Sequence, residues 1–510
     1  MTQERENYDN LAWDLNDDEA DKAVGQLRHR SFCDCIVATV AKHYGKPATL
    51  VRPLRLGGYN MIYRVHVDEM PNDVLVRVPC PGLAQFPEEK TLQEAATGQL
   101  LRQTTQLLVP EIIRYEIKSD IGPIMMLPYV ANTGHMTNVL SRRRQSNSEV
   151  PVLDENIDED ILQKVYSKLA ECLLQLWQPE FGQIGSLVNR NGHILVFDRP
   201  VTQNMSNMVQ LANIPREVLP SPNTTYKSAD DWYTALANMH QAQLVFQHND
   251  LVVSEDDCRN KYISRHLFRK LAKEGKLSIF GFAEDDWSAQ AKKMKAAGAR
   301  CLAAPDAKGS FRLWCDDLRP DNFLVDEHHE IVAAIDWEFT YAAPTQLALD
   351  PPWWLLLEKP EMWSTGLESW AAHCERRLQT WISGMKAAES RTHPNALPFD
   401  LSEYMLDSWE KGRFWLNYAA RKSCAFDAIY CKYLDERFFG ERKQASASEP
   451  FWKTRVDLLN RQEKLAMDAF VTMKMNDVQV RKLDSWAPGE ARRHMAKVLG
   501  EDGEMHPSIV

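Results

Sequence analysis

The chain reads as an α+β protein: a small unit running strands, helix, strands, followed by a much longer and mainly helical part. Three observations predict this. Residues 51–79 carry short apolar runs broken by turn residues, RPLRLGGYNMIYRVHVDEM and then NDVLVRVP, with Gly57-Gly58 at one turn and Pro71-Asn72-Asp73 at another. Residues 87–106, PEEKTLQEAATGQLLRQTTQ, read as one helix ended by Val109-Pro110, with strands expected at 112–117 and 124–129. From about Ile161 the apolar spacing becomes helical, through LQKVYSKLAECLLQLW.

The remaining elements follow in order. Residues 1–50 read as a helical lead-in and 131–158 as a polar loop or insertion. A hairpin is expected at 184–198 with Asn191-Gly192 at its turn. Ser228-Ala229-Asp230-Asp231 has the form of a helix start, and helices are expected at 255–274 and 284–298. Residues 311–340 return to short strands and loops. Beyond 345 the pattern is mostly helical, with a proline-containing break at 391–400 and a frayed final ten residues.

Composition narrows the function classes. A chain of 510 residues exceeds one simple core, so more than one packed unit is expected. Hydrophobic residues at 44% and charged residues at 26% are the balance of a soluble globular protein. A net charge of -11 argues against nucleic-acid and membrane-surface partners, which attract basic patches. No apolar stretch is long enough to cross a bilayer. The acidic start MTQERENYDNLAWDLNDDEADKA lacks the basic and apolar regions of a secretory signal, so a cytoplasmic location is expected. The ten cysteines are scattered, with Cys33 and Cys35 the one close pair, and are expected to be reduced thiols without a metal site. Oligomeric state has no signature in the sequence.

The segment 311–339, FRLWCDDLRPDNFLVDEHHEIVAAIDWEF, carries the chemistry. It holds Asp317, then Asn322 five positions later, then Asp336 fourteen beyond that. Between them lie a loop, a short hairpin and a carboxylate at a strand end. Phosphoryl transfer needs such a set. Mg²⁺ must bridge the nucleotide phosphates, and it takes oxygen ligands. Asn322 and Asp336 can supply two of them. Asp317 is placed to take the proton of an acceptor hydroxyl, and Arg319 to face the γ-phosphate.

This pattern resembles the D-x-x-x-x-N catalytic loop and downstream metal-binding aspartate of the protein-kinase-like superfamily. Ile335-Asp336-Trp337-Glu338 is most similar to the aminoglycoside phosphotransferase and choline kinase branch, and TYAAPTQLALDPPWWLLLEKPEMW to a fungal subset of it. The resemblance covers roughly residues 50–440. It implies a bilobal fold with a small antiparallel-sheet N-lobe carrying one helix and a large, mainly helical C-lobe. The implied layout is an N-terminal helical extension at 1–50 and a nucleotide-binding N-lobe at 51–131. A C-lobe at 132–440 holds catalytic loop 315–322 and metal-binding segment 335–339, and a helical extension follows at 441–510. It further implies ATP and Mg²⁺ as cofactors and a small-molecule hydroxyl as acceptor. Gly57, Gly58 and Asn60 fall on the nucleotide loop. Arg77 falls on the strand cation, Glu94 on its helix partner, and Met126, Leu127 and Tyr129 on the hinge whose backbone holds adenine.

Two positions depart from the family pattern. Cys315 stands where the catalytic-loop histidine is usual, and Arg77 where a lysine is usual, and arginine's fork is not interchangeable with an ammonium. Two other functions fit part of the pattern. Asp317-Leu318-Arg319-Pro320-Asp321-Asn322 resembles the protein-kinase D-L-K-P-x-N, although Asp336 is followed by Trp-Glu and no A-P-E appears. A catalytically silent nucleotide-binding module would explain Cys315 and Arg77. A second candidate loop, His248-Asn249-Asp250-Leu251, lacks an asparagine five residues on and any following hairpin, and reads as structural. Cys315 has no paired histidine and reads as packing rather than a nucleophile. Trp353-Trp354 read as core.

Overall fold

The computed structural model describes residues 8–143, 149–391, 399–442 and 449–499. The chain divides into two compact units, each assembled from separated segments. One comprises Asp17–Gln203 and Lys308–Trp409, the other Met1–Asn16, Asn204–Ala307 and Glu410–Val510. All strands found among the described residues lie in the first. No helix among the described residues is long and apolar enough to cross a membrane.

The sheet-bearing unit opens with α1 (Asn10–Arg28, entering the unit at Asp17) and α2 (Arg30–Tyr44), which make up the expected helical lead-in. Next come β1 (Ala48–Leu56), β2 (Asn60–Val67), β3 (Val74–Pro79), α3 (Pro87–Thr104), β4 (Arg114–Glu116) and β5 (Ile124–Pro128). The five strands form one antiparallel sheet in the order β1-β2-β3-β5-β4. Successive side chains of a strand alternate between faces. Met61, Tyr63, Val65 and Val67 of β2 and Val74, Val76 and Val78 of β3 therefore share one face, and all are buried. They pack with Ala23 and Leu27 of α1 and Cys33, Ile36 and Val40 of α2. Each such valine or isoleucine contributes roughly 1.5–3 kcal/mol of burial. The alternate residues, Asn60 and Ile62 of β2 and Arg77 of β3, face the other way, and Arg77 sits opposite Ile62 in the ladder. This second face bears the polar cluster described below. Helix α3 has Pro87 in its first turn, where a fixed φ is pre-organised and a missing N–H costs nothing, with Glu88 and Glu89 favourable at its positive end.

Smaller strands complete this unit: β6 (Gly134–His135), β7 (Glu180–Phe181), β8 (Ser186–Arg190), β9 (His193–Asp198), β10 (Phe311–Cys315), β11 (Phe323–Val325), β12 (Ile331–Ala334) and β13 (Thr340–Ala343). They form the ladders β13-β10-β7 and β12-β11-β6 and the hairpin β8-β9. The hairpin turns at Asn191 and Gly192, both with positive φ (54° and 86°), the combination that matches strand twist. The stretch 131–158, read as a loop, is partly ordered by tertiary pairing. β6 joins β11, Thr133 N–H donates to the Val325 carbonyl at 2.8 Å, and Met136–Leu140 forms a short helix. Residues 144–148 of that stretch lie outside the described residues.

Helix Glu159–Leu176 begins on Asp158, whose carboxylate accepts from the Asp160 and Ile161 amides. It packs along helix Leu367–Arg391. A Cβ on Gly384 would stand 3.1 Å from the Ser167 nitrogen, so glycine sets how closely the backbones approach. Trp353 and Trp354 are buried, Trp354 edge-to-face on Trp381, as a core pair. Of the expected break at 391–400, residues 392–398 lie outside the described residues, as do residues 501–510.

The other unit is helical among its described residues. Helices Ala229–Phe246 and Glu255–Lys273 start on Ser228 and Ser254, each accepting from the amide three residues on at 3.1 Å. The helix expected at 284–298 is shorter, Ala289–Ala296. Asp285 accepts from the Gly281 and Ser288 amides, holding its own segment in a turn, and Ser288 caps the helix instead.

Candidate functional site

Two loops of the sheet-bearing unit run side by side. The first, 316–322, joins β10 to β11; the second, 335–339, joins β12 to β13. Pro320 starts a single 3-10 turn in the first loop, closed by Asn322, whose side-chain oxygen accepts from the Arg319 amide at 3.0 Å. In the second loop Asp336 and Phe339 adopt left-handed backbone, with φ of 58° and 60°. For a phenylalanine that conformation costs roughly 1–2 kcal/mol, so the surrounding bonds must hold it. Ile335 N–H donates to the Asn322 carbonyl at 2.9 Å and Asp316 N–H to the Phe339 carbonyl at 3.2 Å. The Asn322 amide donates to the Asp336 carbonyl at 3.4 Å, and the Cys315 thiol to the Glu338 carbonyl at 3.5 Å. Cys315 thus ties the two loops together. Burial drives its thiol pKa well above the ordinary value, so it stays a thiol and not a nucleophile.

Within the first loop, Asp316 is buried and pinned by Trp314 Nε1 at 2.8 Å and the Gln203 amide at 3.2 Å. Asp317 is less enclosed, with a side chain 15% exposed. Its Oδ1 accepts from Gln203 Nε2 at 3.2 Å and lies 3.9 Å from Arg319 Nε. Arg319 also reaches Asp321 at 3.6 Å. Burial opposes its charge, but Asp317 and Asp321 outweigh that and hold its pKa up. His135 Nδ1 bonds the Asp321 carbonyl at 2.6 Å, supporting the loop from β6.

A buried ion cluster meets the second loop. Arg77 Nη1 lies 2.5 Å from Glu94 on α3, and its Nη2 lies 3.0 Å from Asp336 and 3.7 Å from Glu338. Lys90, one helical turn before Glu94, pairs with Glu338, and the Asn60 amide donates to the same carboxylate at 3.4 Å. Three carboxylates therefore share two cations. Burial pushes Glu94 up to about 7, against the pull of Arg77 and with added repulsion from Glu338 and Asp336. Arg77 stays charged: the carboxylates outweigh its burial. Asp336 is the open member, with a side chain 41% exposed while that of Glu338 is 6% exposed.

The structure brings together Asp317, Arg319 and Asn322 in one loop, and Asn60, Arg77, Glu94 and Asp336 around the other. Gly57 and Gly58 form the turn between β1 and β2, where Gly57 N–H donates to the Asn60 carbonyl at 2.8 Å. Met126, Leu127 and Tyr129 lie along β5 and just beyond it, and none bonds to the ion cluster among the described residues. The Met126 carbonyl accepts from Ile113 and the Tyr129 amide donates to Asp73, at 2.9 and 2.8 Å. The Tyr129 ring lies 3.7 Å beneath the Arg64 guanidinium.

Lys90, Gln203 and His135 carry no expectation from the sequence, and Glu338 and Tyr59 enter there only as members of the segments 335–338 and 56–60. For Lys90 a signal existed, because its i,i+4 spacing from Glu94 puts both on one helix face. Gln203 and His135 are distant in sequence and carry no local signature. Among the described residues no three of histidine, cysteine, aspartate or glutamate gather as a metal site. The candidate metal donors are instead one amide oxygen, of Asn322, and one carboxylate, of Asp336. That set suits a hard cation that keeps phosphate and water ligands.

No protein-family model matches the chain, and no curated protein matches it. Similar solved structures include a thermostable mutant of aminoglycoside phosphotransferase APH(4)-Ia in a ternary complex with AMP-PNP and hygromycin B. It is 14% identical, with 77% of this chain and 97% of that one covered and a TM-score of 0.37. A Plasmodium vivax ethanolamine kinase is 9% identical, with 90% and 96% covered and a TM-score of 0.38. A microcompartment-associated aminopropanol kinase is 16% identical, with 78% and 97% covered and a TM-score of 0.34.

Proposed function

We propose that the chain is an ATP- and Mg²⁺-dependent phosphotransferase of the protein-kinase-like type, acting on a hydroxyl of a small molecule. The observation that carries this is the meeting of the two loops with the Arg77–Glu94 pair, in which Arg77 Nη2 lies 3.0 Å from Asp336. A charged pair from the sheet and helix, a carboxylate 41% exposed and a loop bearing Asp317, Arg319 and Asn322 are linked through the bonds between the two loops.

Asp317 accepts the acceptor hydroxyl's proton as that oxygen bonds to the γ-phosphorus and the bond to the β–γ bridging oxygen breaks, releasing ADP. Gln203 orients the Asp317 carboxylate. Arg319 faces the charge that builds on the transferred group. Asn322 and Asp336 would hold Mg²⁺, which when bound neutralises the phosphates. Arg77 aligns Asp336 and Glu94, with Gly57, Gly58 and Asn60 at the loop over the phosphates and the backbone of Met126, Leu127 and Tyr129 along the adenine. Positioning and charge neutralisation supply most of the acceleration in this chemistry. Cys315 supports the reading, since its thiol makes the cross-loop bond that keeps Asp317 and Asp336 in register.

The test is incubation of the purified protein with Mg-ATP and a metabolite extract, read by mass spectrometry for gain of one phosphate. A phosphorylated small molecule formed by the wild type, and absent with Asp317→Asn, is the expected result. Phosphate transfer unaffected by Asp317→Asn would remove the assignment of the base.

A further inference from the structure

Arg77 occupies the place of the phosphate-contacting strand cation, yet its fork is already engaged. One terminal nitrogen is held by Glu94 and the other by Asp336 and Glu338. An arginine gripped on both arms aligns carboxylates well but has little left to give a phosphate. The other cation of the cluster is differently placed. Lys90 is 4% exposed, and among the described residues its one ionic partner is Glu338. An ammonium has three donors, so one carboxylate leaves capacity unmet. Its Nζ is roofed by aromatic rings, 4.3 Å from the centroid of Tyr59 and 5.7 Å from that of Phe339.

Tyr59 comes from the turn between β1 and β2, beside Gly57-Gly58. Its ring stands edge-to-face on Phe339 with centroids 5.2 Å apart. Gln203, the side chain that donates to Asp317, stands beside the Tyr59 hydroxyl. One side chain therefore covers Lys90 and also reaches the bonding network of the proposed base.

We propose that Lys90 is the principal phosphate-binding cation of the nucleotide site, and that the Tyr59 ring is a displaceable cover over it. This rests on the phosphotransferase reading and adds to it a residue and an order of events. The ring leaves Lys90 as the phosphates arrive, the ammonium exchanges an aromatic face for phosphate oxygens, and Arg77 keeps its grip on Glu94 and Asp336. A compact ammonium on a flexible stem can make that exchange without disturbing the carboxylates, which a bidentate guanidinium cannot.

The experiment compares ATP with adenosine, because only ATP carries the groups Lys90 would hold. Binding of each is titrated to the full chain with Mg²⁺, in wild type, Lys90→Gln and Tyr59→Ala. Lys90→Gln is expected to weaken ATP about ten- to hundredfold, the scale of one lost charge-assisted contact, with adenosine little changed. Tyr59→Ala is expected to tighten ATP and leave adenosine alone. Equal weakening of both ligands in Lys90→Gln would mean a merely structural lysine and would overturn the proposal, as would weaker ATP binding in Tyr59→Ala. Wild type that binds neither ligand would sink the phosphotransferase reading and this proposal with it. Should Lys90→Gln fail to fold, acylation of Lys90 in Tyr59→Ala, read by peptide mass spectrometry, decides instead. ATP and not adenosine should protect that lysine; equal labelling with and without ATP overturns the proposal.

Discussion

Two segments of this chain look alike as strings and differ as chemistry. His248-Asn249-Asp250-Leu251 has the histidine and aspartate of a phosphotransferase loop; Cys315-Asp316-Asp317-Leu318 lacks the histidine. In the first, His248 is bonded on one ring nitrogen to Asp484 at 2.8 Å and on the other to the Val480 carbonyl at 2.7 Å. Both oxygens of Asp250 are taken by Arg481, at 2.6 and 2.8 Å, and one also by the Asn10 amide at 3.0 Å. Asn249 bonds Asp9 and the Lys482 carbonyl. The segment is a clasp that fastens residues 9–10 and 480–484 within the helical unit. In the second, bonding ends at the scaffold: Asp316 and Cys315 are spent on support, while Asp336 keeps a side chain 41% exposed and Asp317 meets Gln203 and Arg319 but no bidentate partner. What takes up a motif's polar groups decides whether it anchors the chain or meets a ligand.

Asp317→Asn should lower turnover at least 10²–10⁴-fold on the acceptor found in the metabolite screen, the scale of lost general-base catalysis, while ATP binding persists. Asp250→Asn should leave turnover within a few-fold. Near-equal losses from the two would erase the distinction between them. Arg77→Lys comes next. A lysine cannot meet all three carboxylates that the fork reaches, so either the buried Glu94 or the carboxylates of the second loop lose their partner, and removal of a buried partner costs about 3–5 kcal/mol. Chemical denaturation of the sheet-bearing unit, followed by hydrogen exchange in β3 and α3, should show most of that loss. His248→Ala should cost about 1–3 kcal/mol, because Asp484 and the Val480 carbonyl lose a bonded partner, with protection falling at 480–484 and ATP affinity unmoved.

Much of this organisation was legible in the sequence, and the reasons it was not elsewhere are physical. Val74, Val76 and Val78 announce a strand by period, and Asn191-Gly192 announces its turn by the backbone it tolerates. Asp317, Asn322 and Asp336 could be read because one hairpin fixes their spacing. Lys90 escapes a sequence reading because a lysine in a charged stretch, PEEK, looks like a solvated first turn; only the tertiary fold turns it inward. Gln203 and His135 reach the loop from 114 and 186 positions away, and no local pattern carries that information. The stretch 131–158 reads as loop because the order it has comes from pairing with β11, a partner the segment does not contain.

The smallest expected effect concerns acid. In the clasp, burial works to raise the pKa of Asp250, but the hydrogen bonds from Arg481 and Asn10 outweigh it and hold the carboxyl below its ordinary 3.8. Asp484 behaves alike: burial raises it, Lys482 and His248 lower it further, and the net shift is downward. A carboxyl with a depressed folded pKa adds stability at pH above its unfolded value, and that stability is lost as pH falls through the folded pKa. The clasp should therefore hold from neutrality down to about pH 4 and loosen below 3.8, with hydrogen exchange at Asn10 and residues 480–484 rising before the rest of the helical unit. Asp250→Asn removes one of the two titrating groups, so the acid loosening should become shallower while starting from a weaker clasp at pH 7. Because Arg481 is half exposed, the pair is partly screened, and added salt should reduce the pH dependence without abolishing it. An acid transition equally steep in Asp250→Asn would show that Asp484, and not Asp250, carries the acid response of the clasp.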